Sequence, residues 1–282
     1  MSGDHRQAGP PAGSAGTATP DSPDLPAPVL FERDGSIARI RFNRPGVLNA
    51  ADRALAAAFR DACRAVAVDP GVRVVVLSGE GRAFMAGGDI AQFRDDPQSV
   101  PASLIDPLHD GLRHLSDASA IVIASLHGAV AGAGMSIALG CDLAIAADDT
   151  RFNMAYARLG ASCDLGGSWH LPRLVGLRRA LEIALLCDNL DAAQALQLGL
   201  VNRVVPAAAL VDETQALAER LARGAPVAQG VIKRLMRESS GRDLAGQLDA
   251  ERAGFSACIA SADFGEAVAA FLDKRPATFT GR

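Results

Sequence analysis

The sequence predicts an α/β protein in which buried strands alternate with helices and an all-helical region follows. Two stretches, 72–77 and 120–126, are runs of β-branched and small apolar residues, which is typical of parallel strands covered on both faces. A glycine-rich segment comes directly after each of them. After residue 206 the remaining patterns are all helical. Strands that alternate with helices in this way indicate the α/β class.

The elements follow one another in a regular order. The predicted elements are a hairpin of strands 29–33 and 37–42, a helix from Asp52 to Val68, strand 72–77, helix 102–117, strand 120–126, a helix near 133–140, strand 142–146, two helices over 168–186, a short helix 191–199, strand 201–205, and helices 207–223, 226–237, 243–260 and 262–273.

Turn and capping residues set most of these boundaries. Asp34-Gly35 separates the hairpin strands, and Asp52 is a predicted N-cap. Asp69-Pro70-Gly71 ends the first helix, Val175-Gly176 divides the pair at 168–186, and Pro206 ends the last strand.

The helix at 102–117 is predicted from its apolar spacing. Leu104, Leu108, Leu112 and Leu115 recur at intervals of three and four, so they share one face. Before it, residues 94–102 carry acids, proline and serine and predict a mobile loop.

Composition limits the possible classes of function. The chain has 282 residues, 49% of them apolar, and a net charge of −4, which argues against a general nucleic-acid binder. No apolar run reaches the roughly 18–20 residues that span a bilayer, so no membrane partner is expected. The N-terminus lacks a secretory pattern, and we expect a cytoplasmic protein. Residues 1–28, rich in Pro, Ala, Gly and Ser, predict a disordered tail.

The cysteines do not predict a metal site. Five cysteines are widely spaced and form no CxxC pair, so neither a disulfide framework nor a zinc site is expected.

The two glycine-rich stretches, 79–90 and 128–140, are the main functional signal. A turn of Gly and Ala exposes backbone N–H groups, and the start of a helix at 133 favours a partly negative oxygen. Two such N–H groups from neighbouring strands would form an oxyanion hole for a thioester or amide carbonyl. The alternative explanation for these glycine and alanine residues is close packing of a helix against the sheet. Neither stretch has the spacing of a dinucleotide-binding fingerprint, so a Rossmann oxidoreductase is disfavoured.

These residues carry a resemblance to a known family. Gly79-Glu-Gly-Arg-Ala-Phe-Met-Ala-Gly-Gly-Asp-Ile90 and the stretch from Gly128 to Asp142 resemble the crotonase, or enoyl-CoA hydratase/isomerase, superfamily. Leu171-Pro-Arg-Leu-Val-Gly176 and the ending Phe271-Leu-Asp-Lys-Arg-Pro276 are similar to the same family.

The resemblance covers residues 29–279 and implies an architecture and a substrate. It implies a spiral of ββα units over 29–206, a C-terminal helical oligomerisation region at 207–282, and a homotrimer or hexamer. It also implies an acyl-CoA thioester as substrate and no further cofactor. The oxyanion N–H donors map to Gly88 and Ala133.

The sequence departs from the hydratases of this family. Those enzymes use two glutamates to add water across a double bond, and the matching positions here are Ser136 and Tyr156. Asp164, in Ser162-Cys-Asp-Leu-Gly-Gly-Ser-Trp169, resembles the carboxylate of members that move a double bond from C3 to C2. An apolar surround of Leu159, Leu165 and Trp169 would suit such a base. The alternative role for Asp164 is that of a cap for the helix that starts near Gly166.

His109 is the second candidate catalytic side chain. In the 4-chlorobenzoyl-CoA dehalogenases, a branch of this family, an aspartate attacks the aryl ring and a histidine activates water. The residues Phe152 to Tyr156 are similar to that branch, although Tyr156 stands where it has Trp. A purely structural role on its helix is the alternative for His109.

CoA binding is expected to use mostly backbone groups. The resemblance assigns them to Val47, Leu48, Ala86, Gly88, Asp89 and Ile90. Candidate cations for the CoA phosphates are Arg44, Arg82, Lys274 and Arg275, the last two from a neighbouring subunit. Solvated surface charge is the alternative for each cation.

The leading hypothesis is therefore an enoyl-CoA isomerase with Asp164 as its base. The alternatives are an enoyl-CoA hydratase, a dehalogenase-like hydrolase, and a non-catalytic acyl-CoA-binding protein.

Overall fold

The computed structural model describes residue 1 and residues 26–282, so most of the predicted disordered tail lies outside the described residues. The backbone is held from just before the first strand, because Asn43 donates hydrogen bonds to the carbonyls of Ala27 and Pro28.

The strands and helices have the following bounds. The strands are β1 Val29–Asp34, β2 Ile37–Phe42, β3 Val74–Gly79, β4 Ile121–Leu126, β5 Ala129–Ala131, β6 Leu143–Ala147, β7 Arg151–Asn153, β8 Leu190–Asp191 and β9 Arg203–Val205. The helices are α1 Arg53–Val68, α2 Ile90–Asp95, α3 Asp106–Asp117, α4 Ala133–Gly140, α5 Gly167–Val175, α6 Leu177–Leu186, α7 Ala192–Gln197, α8 Leu210–Ala222, α9 Pro226–Glu238, α10 Leu244–Ile259 and α11 Ala262–Leu272.

Within residues 26–282 the main sheet has six strands in the order β1-β2-β3-β4-β6-β9. β1 and β2 form the predicted antiparallel hairpin, and every other neighbouring pair is parallel. The carboxyl ends of parallel strands share one edge of a sheet, so the segments that follow β3 and β4 meet there.

The parallel strands are covered on both faces, as their composition predicts. On one face Phe42, Phe59 of α1 and Leu108 of α3 belong to the main core. On the other face Val74 and Val76 pack against Ala218 of α8. Polar groups at this depth are paired: the Ser125 and Thr214 hydroxyls lie 3.0 Å apart between β4 and α8.

A second, three-stranded sheet of β5, β7 and β8 was not predicted. Its strands have only two or three residues each, too few for an alternating pattern to show in the sequence.

The prediction of a mobile loop at 94–102 is wrong. These residues are largely helical, with α2 ending at Asp95, a 3₁₀ turn over Pro97–Ser99 and a π-helical turn over Pro101–Ile105 that leads into α3. Each of the last two turns begins with proline, whose fixed φ suits the first position of a helical turn.

The C-terminal region is helical from α8 onward. A buried ionic cluster fixes α9 to the core: the Lys233 Nζ lies 3.1 Å from Asp142 Oδ2 and donates to the carbonyls of Leu115 and Ala120. Arg237 binds the other oxygen of Asp142 at 2.6 Å. The three donors of the lysine are therefore all used.

Among the described residues, no single helix is long and apolar enough to cross a membrane. The α10–α11 pair, bent by 76°, meets that test of length and composition only when its two helices are taken together.

Candidate active site

The two glycine-rich segments lie side by side. Segment 84–88 follows β3, and segment 129–133 follows β4. The Met85 N–H donates to Ala129 O over 3.1 Å, and the Ala131 N–H donates to Met85 O over 2.9 Å. These two bonds fix the register between the segments, so their next residues are also adjacent.

Each segment turns at a glycine with positive φ. Gly87 has φ +115° and Gly132 has φ +50°, conformations that residues with a Cβ rarely adopt. A Cβ on Gly132 would lie only 3.6 Å from the Gly87 Cα, so the two turns are in contact. The next N–H in each turn belongs to Gly88 and to Ala133, the two predicted oxyanion donors.

The N–H of Gly88 is not used by the neighbouring segment. The bonds from Ala51 N–H to Gly87 O and from Asp89 N–H to Ala51 O lie on either side of Gly88. In such a parallel bridge the residue between the two bonds points its own N–H away from the partner strand. No described residue accepts a hydrogen bond from that N–H.

The N–H of Ala133 is left open by the start of α4. Ala133 is the first residue of this helix, and the first intrahelical bond runs from Ser136 N–H to Gly132 O. The opening N–H groups of a helix have no partner within it and carry the positive end of its dipole. Within residues 26–282 no acceptor faces the Ala133 N–H.

Two N–H groups without a described acceptor therefore belong to adjacent turns, as the prediction of an oxyanion hole requires. The Phe93 ring of α2 lies against Gly88, because a Cβ on Gly88 would lie 2.4 Å from the Phe93 Cζ. A side chain at residue 88 would therefore displace the Phe93 ring.

Asp164 lies in a cluster of buried hydroxyl groups. The Tyr156 hydroxyl donates to Asp164 Oδ1, and the Ser136 Oγ lies 2.9 Å from the same tyrosine hydroxyl. Ser136 is fully buried, and Tyr156 is nearly so. The sequence identifies Ser136 and Tyr156 only as replacements for glutamates, so the bond between them and the bond from Tyr156 to Asp164 were not predicted.

The position of α5 makes room for this cluster. A Cβ on Gly167, the first residue of α5, would lie 2.5 Å from the Ser136 Oγ and 3.0 Å from the Met154 Cε. A side chain at residue 167 would therefore displace Ser136.

The side chain of Asp164 does not cap α5, so the capping role considered as an alternative for this residue is wrong. The N-cap of α5 is Gly166, and no side chain caps this helix. Only the backbone carbonyl of Asp164 takes part, accepting from the Gly167 N–H over 2.9 Å. The carboxylate of Asp164 is therefore directed to Tyr156.

The surroundings of Asp164 raise its pKa. Burial raises its pKa above the usual range, while the hydrogen bond from Tyr156 and then the electrostatic interaction with His109 lower it by smaller amounts. Burial and then the Asp164 charge raise the pKa of Tyr156, which therefore stays a hydrogen-bond donor at neutral pH.

The predicted apolar surround of Asp164 is confirmed in part. Leu165 is buried, but Leu159 and Trp169 are exposed. The Arg173 guanidinium lies 3.3 Å from the centre of the Trp169 ring, as in a cation–π contact.

His109 contacts the backbone next to Asp164. The Leu165 N–H donates to His109 Nε2 over 3.3 Å, so that nitrogen is an acceptor and the ring proton lies on Nδ1. Leu165 has φ +50°, a strained conformation for leucine. His109 therefore holds the turn that presents Asp164, and its Nε2 lone pair is already occupied.

The predicted CoA-binding turn at Val47-Leu48 is attached to the oxyanion segment. Ala86 donates its N–H to Leu48 O over 3.0 Å, so Ala86 has only its carbonyl to offer a ligand. Asn49, buried and not predicted, donates to the carbonyls of Ala83 and Phe84. This amide is the main link between the two loops.

The candidate cations differ in their pairing. Arg44 lies 3.0 Å from Asp52 and 3.2 Å from Asp89, so its charge is balanced inside the loop. Arg275 pairs with Glu266 at 2.7 Å. Lys274 is exposed just after α11.

Other candidates have local roles. Asp89 accepts from the Ala91 N–H as the N-cap of α2, and Ile90 is the exposed first residue of that helix. Among the described residues, no group of three or more His, Cys, Asp or Glu side chains could hold a metal ion.

Both the sequence and the fold are similar to those of known proteins. The sequence model of a family described as enoyl-CoA hydratase/isomerase matches residues 32–282. The chain is 36% identical over 258 residues to the 1,2-epoxyphenylacetyl-CoA isomerase of Escherichia coli K12, covering 90% of this chain and 98% of the relative. It is 32% identical over 256 residues to the crotonyl-CoA hydratase of Syntrophomonas wolfei, with the same shares covered.

A solved structure has the same fold. The crystal structure of an enoyl-CoA hydratase from Polaromonas sp. JS666 superposes with a TM-score of 0.84 at 34% identity, covering 89% of this chain and 99% of the other. The predicted crotonase-like fold with a helical C-terminal region is thereby confirmed.

Proposed function

This chain belongs to the enoyl-CoA hydratase/isomerase family, and we propose that it moves the double bond of a 3-enoyl-CoA to C2 with Asp164 as the single base. The observation that carries this proposal is the cluster of Asp164, Tyr156 and Ser136, in which Asp164 is the carboxylate. Moving the double bond by one position, from C3–C4 to C2–C3, requires one proton to leave C2 and one to arrive at C4. A single carboxylate between these two positions performs both transfers.

The first step forms an enolate. The thioester oxygen accepts hydrogen bonds from the N–H groups of Gly88 and Ala133. Asp164 takes the C2 proton, the electrons of the C2–H bond form a C1–C2 double bond, and negative charge moves to the thioester oxygen. The N–H groups and the α4 dipole stabilise this charge most strongly when it is fully developed.

The second step returns the proton. The enolate electrons re-form the carbonyl and create the C2–C3 double bond, and the electrons of the former C3–C4 double bond take the proton from Asp164 at C4. Atoms and charge balance within substrate and enzyme, so the reaction as proposed uses no cofactor. The raised pKa of Asp164 supports both proton transfers, because the carboxyl group must accept a proton from C2 and then release it to C4.

Hydration has less support from this site. Ser136 and Tyr156 carry neutral hydroxyl groups that bind each other, and Tyr156 also binds Asp164, so neither residue supplies a second carboxylate to activate water. A dehalogenase-like role for His109 also has less support, since its Nε2 already accepts the Leu165 N–H.

A second candidate substrate comes from a relative. The isomerase from Escherichia coli K12 is named for 1,2-epoxyphenylacetyl-CoA, and the likeness at 36% identity favours a ring-bearing acyl group as an alternative to a linear one. Both candidates are CoA thioesters that are isomerised without net addition of water.

We further propose that the protein forms a homotrimer or hexamer. Many large apolar side chains of α5, α6, α10 and α11 are exposed in the single chain, including Leu177, Leu185, Phe255 and Phe271. Exposed apolar surface of this extent is typical of an interface.

A comparison of two substrates tests the proposed reaction. Purified protein is given a 3-enoyl-CoA, and the absorbance of the conjugated 2-enoyl thioester is followed. Crotonyl-CoA is assayed in parallel for loss of that absorbance through hydration. The proposal predicts a kcat/KM for isomerisation at least about 10²-fold above that for hydration. A faster hydration would contradict it, and tight binding without turnover of linear or ring-bearing substrates would indicate a non-catalytic protein.

A further inference from the structure

The hydroxyl groups of Ser136 and Tyr156 form a chain that ends on Asp164. The serine comes from α4, the tyrosine follows β7, and the aspartate precedes α5. The Ser136–Tyr156 distance is 2.9 Å, and the tyrosine hydroxyl bonds to the Oδ1 atom of Asp164. Three separate segments thus meet in one buried set of hydrogen bonds.

The direction of this chain is fixed by the number of protons available. A tyrosine hydroxyl has one hydrogen, and Asp164 as a carboxylate can only accept, so Tyr156 donates to Asp164. The tyrosine oxygen is then left as an acceptor, and Ser136 donates to it. Ser136 is fully buried and close to Gly167, which limits the rotation of its side chain.

The local backbone also holds Tyr156 in place. Ala155, the residue before it, has φ +31°, a strained conformation for alanine. The Ala155 N–H donates to Asn153 Oδ1 over 2.7 Å, and the Asn153 amide donates to Cys187 O over 2.8 Å. The tyrosine is therefore placed by its own segment as well as by Ser136.

We propose that Tyr156, oriented by Ser136, is a positioning residue that keeps Oδ1 of Asp164 as a permanent acceptor and so leaves Oδ2 as the oxygen that exchanges protons with the substrate. This inference rests on the proposed isomerisation. A base with one working oxygen has one defined direction toward C2 and C4, whereas a carboxylate that rotates freely would present either oxygen.

The same hydrogen bond sets the pH at which Asp164 becomes a base. The titratable groups that shift the pKa of Asp164 are Tyr156 and His109, and Asp164 in turn raises the pKa of the Cys163 thiol. The Tyr156 hydrogen bond lowers the pKa of Asp164 against the larger effect of burial. Removal of that bond leaves the carboxyl group protonated to a higher pH.

The test uses Tyr156→Phe, which removes only the hydroxyl. The acidic limb of the kcat/KM–pH profile for 3-enoyl-CoA isomerisation should move to higher pH by about one unit. Ser136→Ala should move it in the same direction by less, since Tyr156 then keeps its bond to Asp164. Ser125→Ala, which breaks a buried hydroxyl pair between β4 and α8, is the matched control and should leave the limb unchanged.

A second readout does not depend on the proposed reaction. Protein labelled with ¹³C at the aspartate carboxyl carbons is titrated without substrate, and Asp164→Asn assigns the signal. The Asp164 pKa should be higher in Tyr156→Phe than in the wild type. An unchanged or lower pKa in Tyr156→Phe, or an unmoved acidic limb, would overturn the proposal.

The kinetic and the titration measurements distinguish a failure of the proposed function from a failure of the proposed role of Tyr156. A wild-type protein that does not isomerise 3-enoyl-CoA but shows the predicted titration would contradict the proposed function and support the role of Tyr156. If Tyr156→Phe does not fold, the same titration of Ser136→Ala decides the question: a raised Asp164 pKa supports the proposal and an unchanged one overturns it.

Discussion

The Ser136 Oγ lies 2.9 Å from the Tyr156 hydroxyl, which in turn donates to Asp164. By resemblance, positions 136 and 156 are those at which hydratases of this family hold their two catalytic glutamates. In this chain the two side chains bind each other, and Tyr156 also binds the carboxylate of Asp164. This arrangement supports the proposed reaction, in which Asp164 is the single base and the N–H groups of Gly88 and Ala133 bind the thioester oxygen.

Ala133→Pro tests the oxyanion hole at one donor. Proline lacks an N–H but is well tolerated at the first position of a helix, where Ala133 stands in α4. We expect kcat to fall by about 10²–10³-fold while the fold is retained, because one donor to the developing negative charge is lost. Circular dichroism and steady-state kinetics measure both effects.

Leu244→Pro is the matched control for this variant. Leu244 is the exposed first residue of α10, so it tests proline at the same helical position outside the site. It should keep wild-type kinetics. Equal activity of Ala133→Pro and wild type would remove Ala133 from the oxyanion hole.

His109→Gln and His109→Leu distinguish a positioning role from a catalytic one. Glutamine retains an acceptor for the Leu165 N–H, whereas leucine leaves that N–H without its partner. We expect His109→Gln to keep most of the isomerase activity and His109→Leu to lose at least about tenfold. If His109 acted by activating water, both variants would lose activity to the same extent. Equal inactivation of the two variants would therefore contradict the positioning role.

Lys233→Met tests the ionic cluster that attaches α9. The substitution leaves the carbonyls of Leu115 and Ala120 without a donor and removes one partner of Asp142. We expect the free energy of unfolding to fall by about 3 kcal/mol in urea titrations. Arg179→Met, which breaks an exposed pair with Glu182, should change it by less than about 0.5 kcal/mol. A similar small effect of Lys233→Met would show that the cluster is not a major anchor.

Because of His170, we expect the free energy of unfolding to fall in acid. Burial, followed by the charges of Arg237 and Arg173, lowers the pKa of His170 to about 4. The unfolded chain therefore binds this proton at a higher pH than the folded chain does. The contribution is present in full above about pH 6.5 and is lost as the pH falls toward 4. In His170→Gln the decline in Tm over this range should be smaller than in wild type; identical declines would contradict the assignment.

The strands and helices that build the main sheet and its cover could be predicted along the chain because most of them have their own local signal. The hairpin has Asp34-Gly35, α1 has its cap at Asp52, and the parallel strands have continuous apolar runs. The second sheet could not be predicted, because β5, β7 and β8 are too short to carry a period. Its strands are defined by partners that are distant in sequence.

The candidate site was predictable in its parts but not in its contacts. The residues Gly88, Ala133 and Asp164 stand out by spacing and by resemblance. The hydrogen bond from Tyr156 to Asp164 depends on how the segment after β7 folds back against α4, which no local pattern reports. The occupied Nε2 of His109 likewise depends on the strained φ of Leu165, a residue that sequence alone would place in an ordinary conformation.

The most direct test of the account is the isomerisation of a 3-enoyl-CoA by Asp164→Asn. Asparagine keeps the size of the side chain and an oxygen that accepts from Tyr156, but it cannot take a proton from C2. We predict that kcat falls by at least about 10³-fold while the affinity for the CoA thioester, measured by calorimetry, stays within about threefold of wild type. Turnover by Asp164→Asn at the wild-type rate would contradict the central claim that Asp164 is the base.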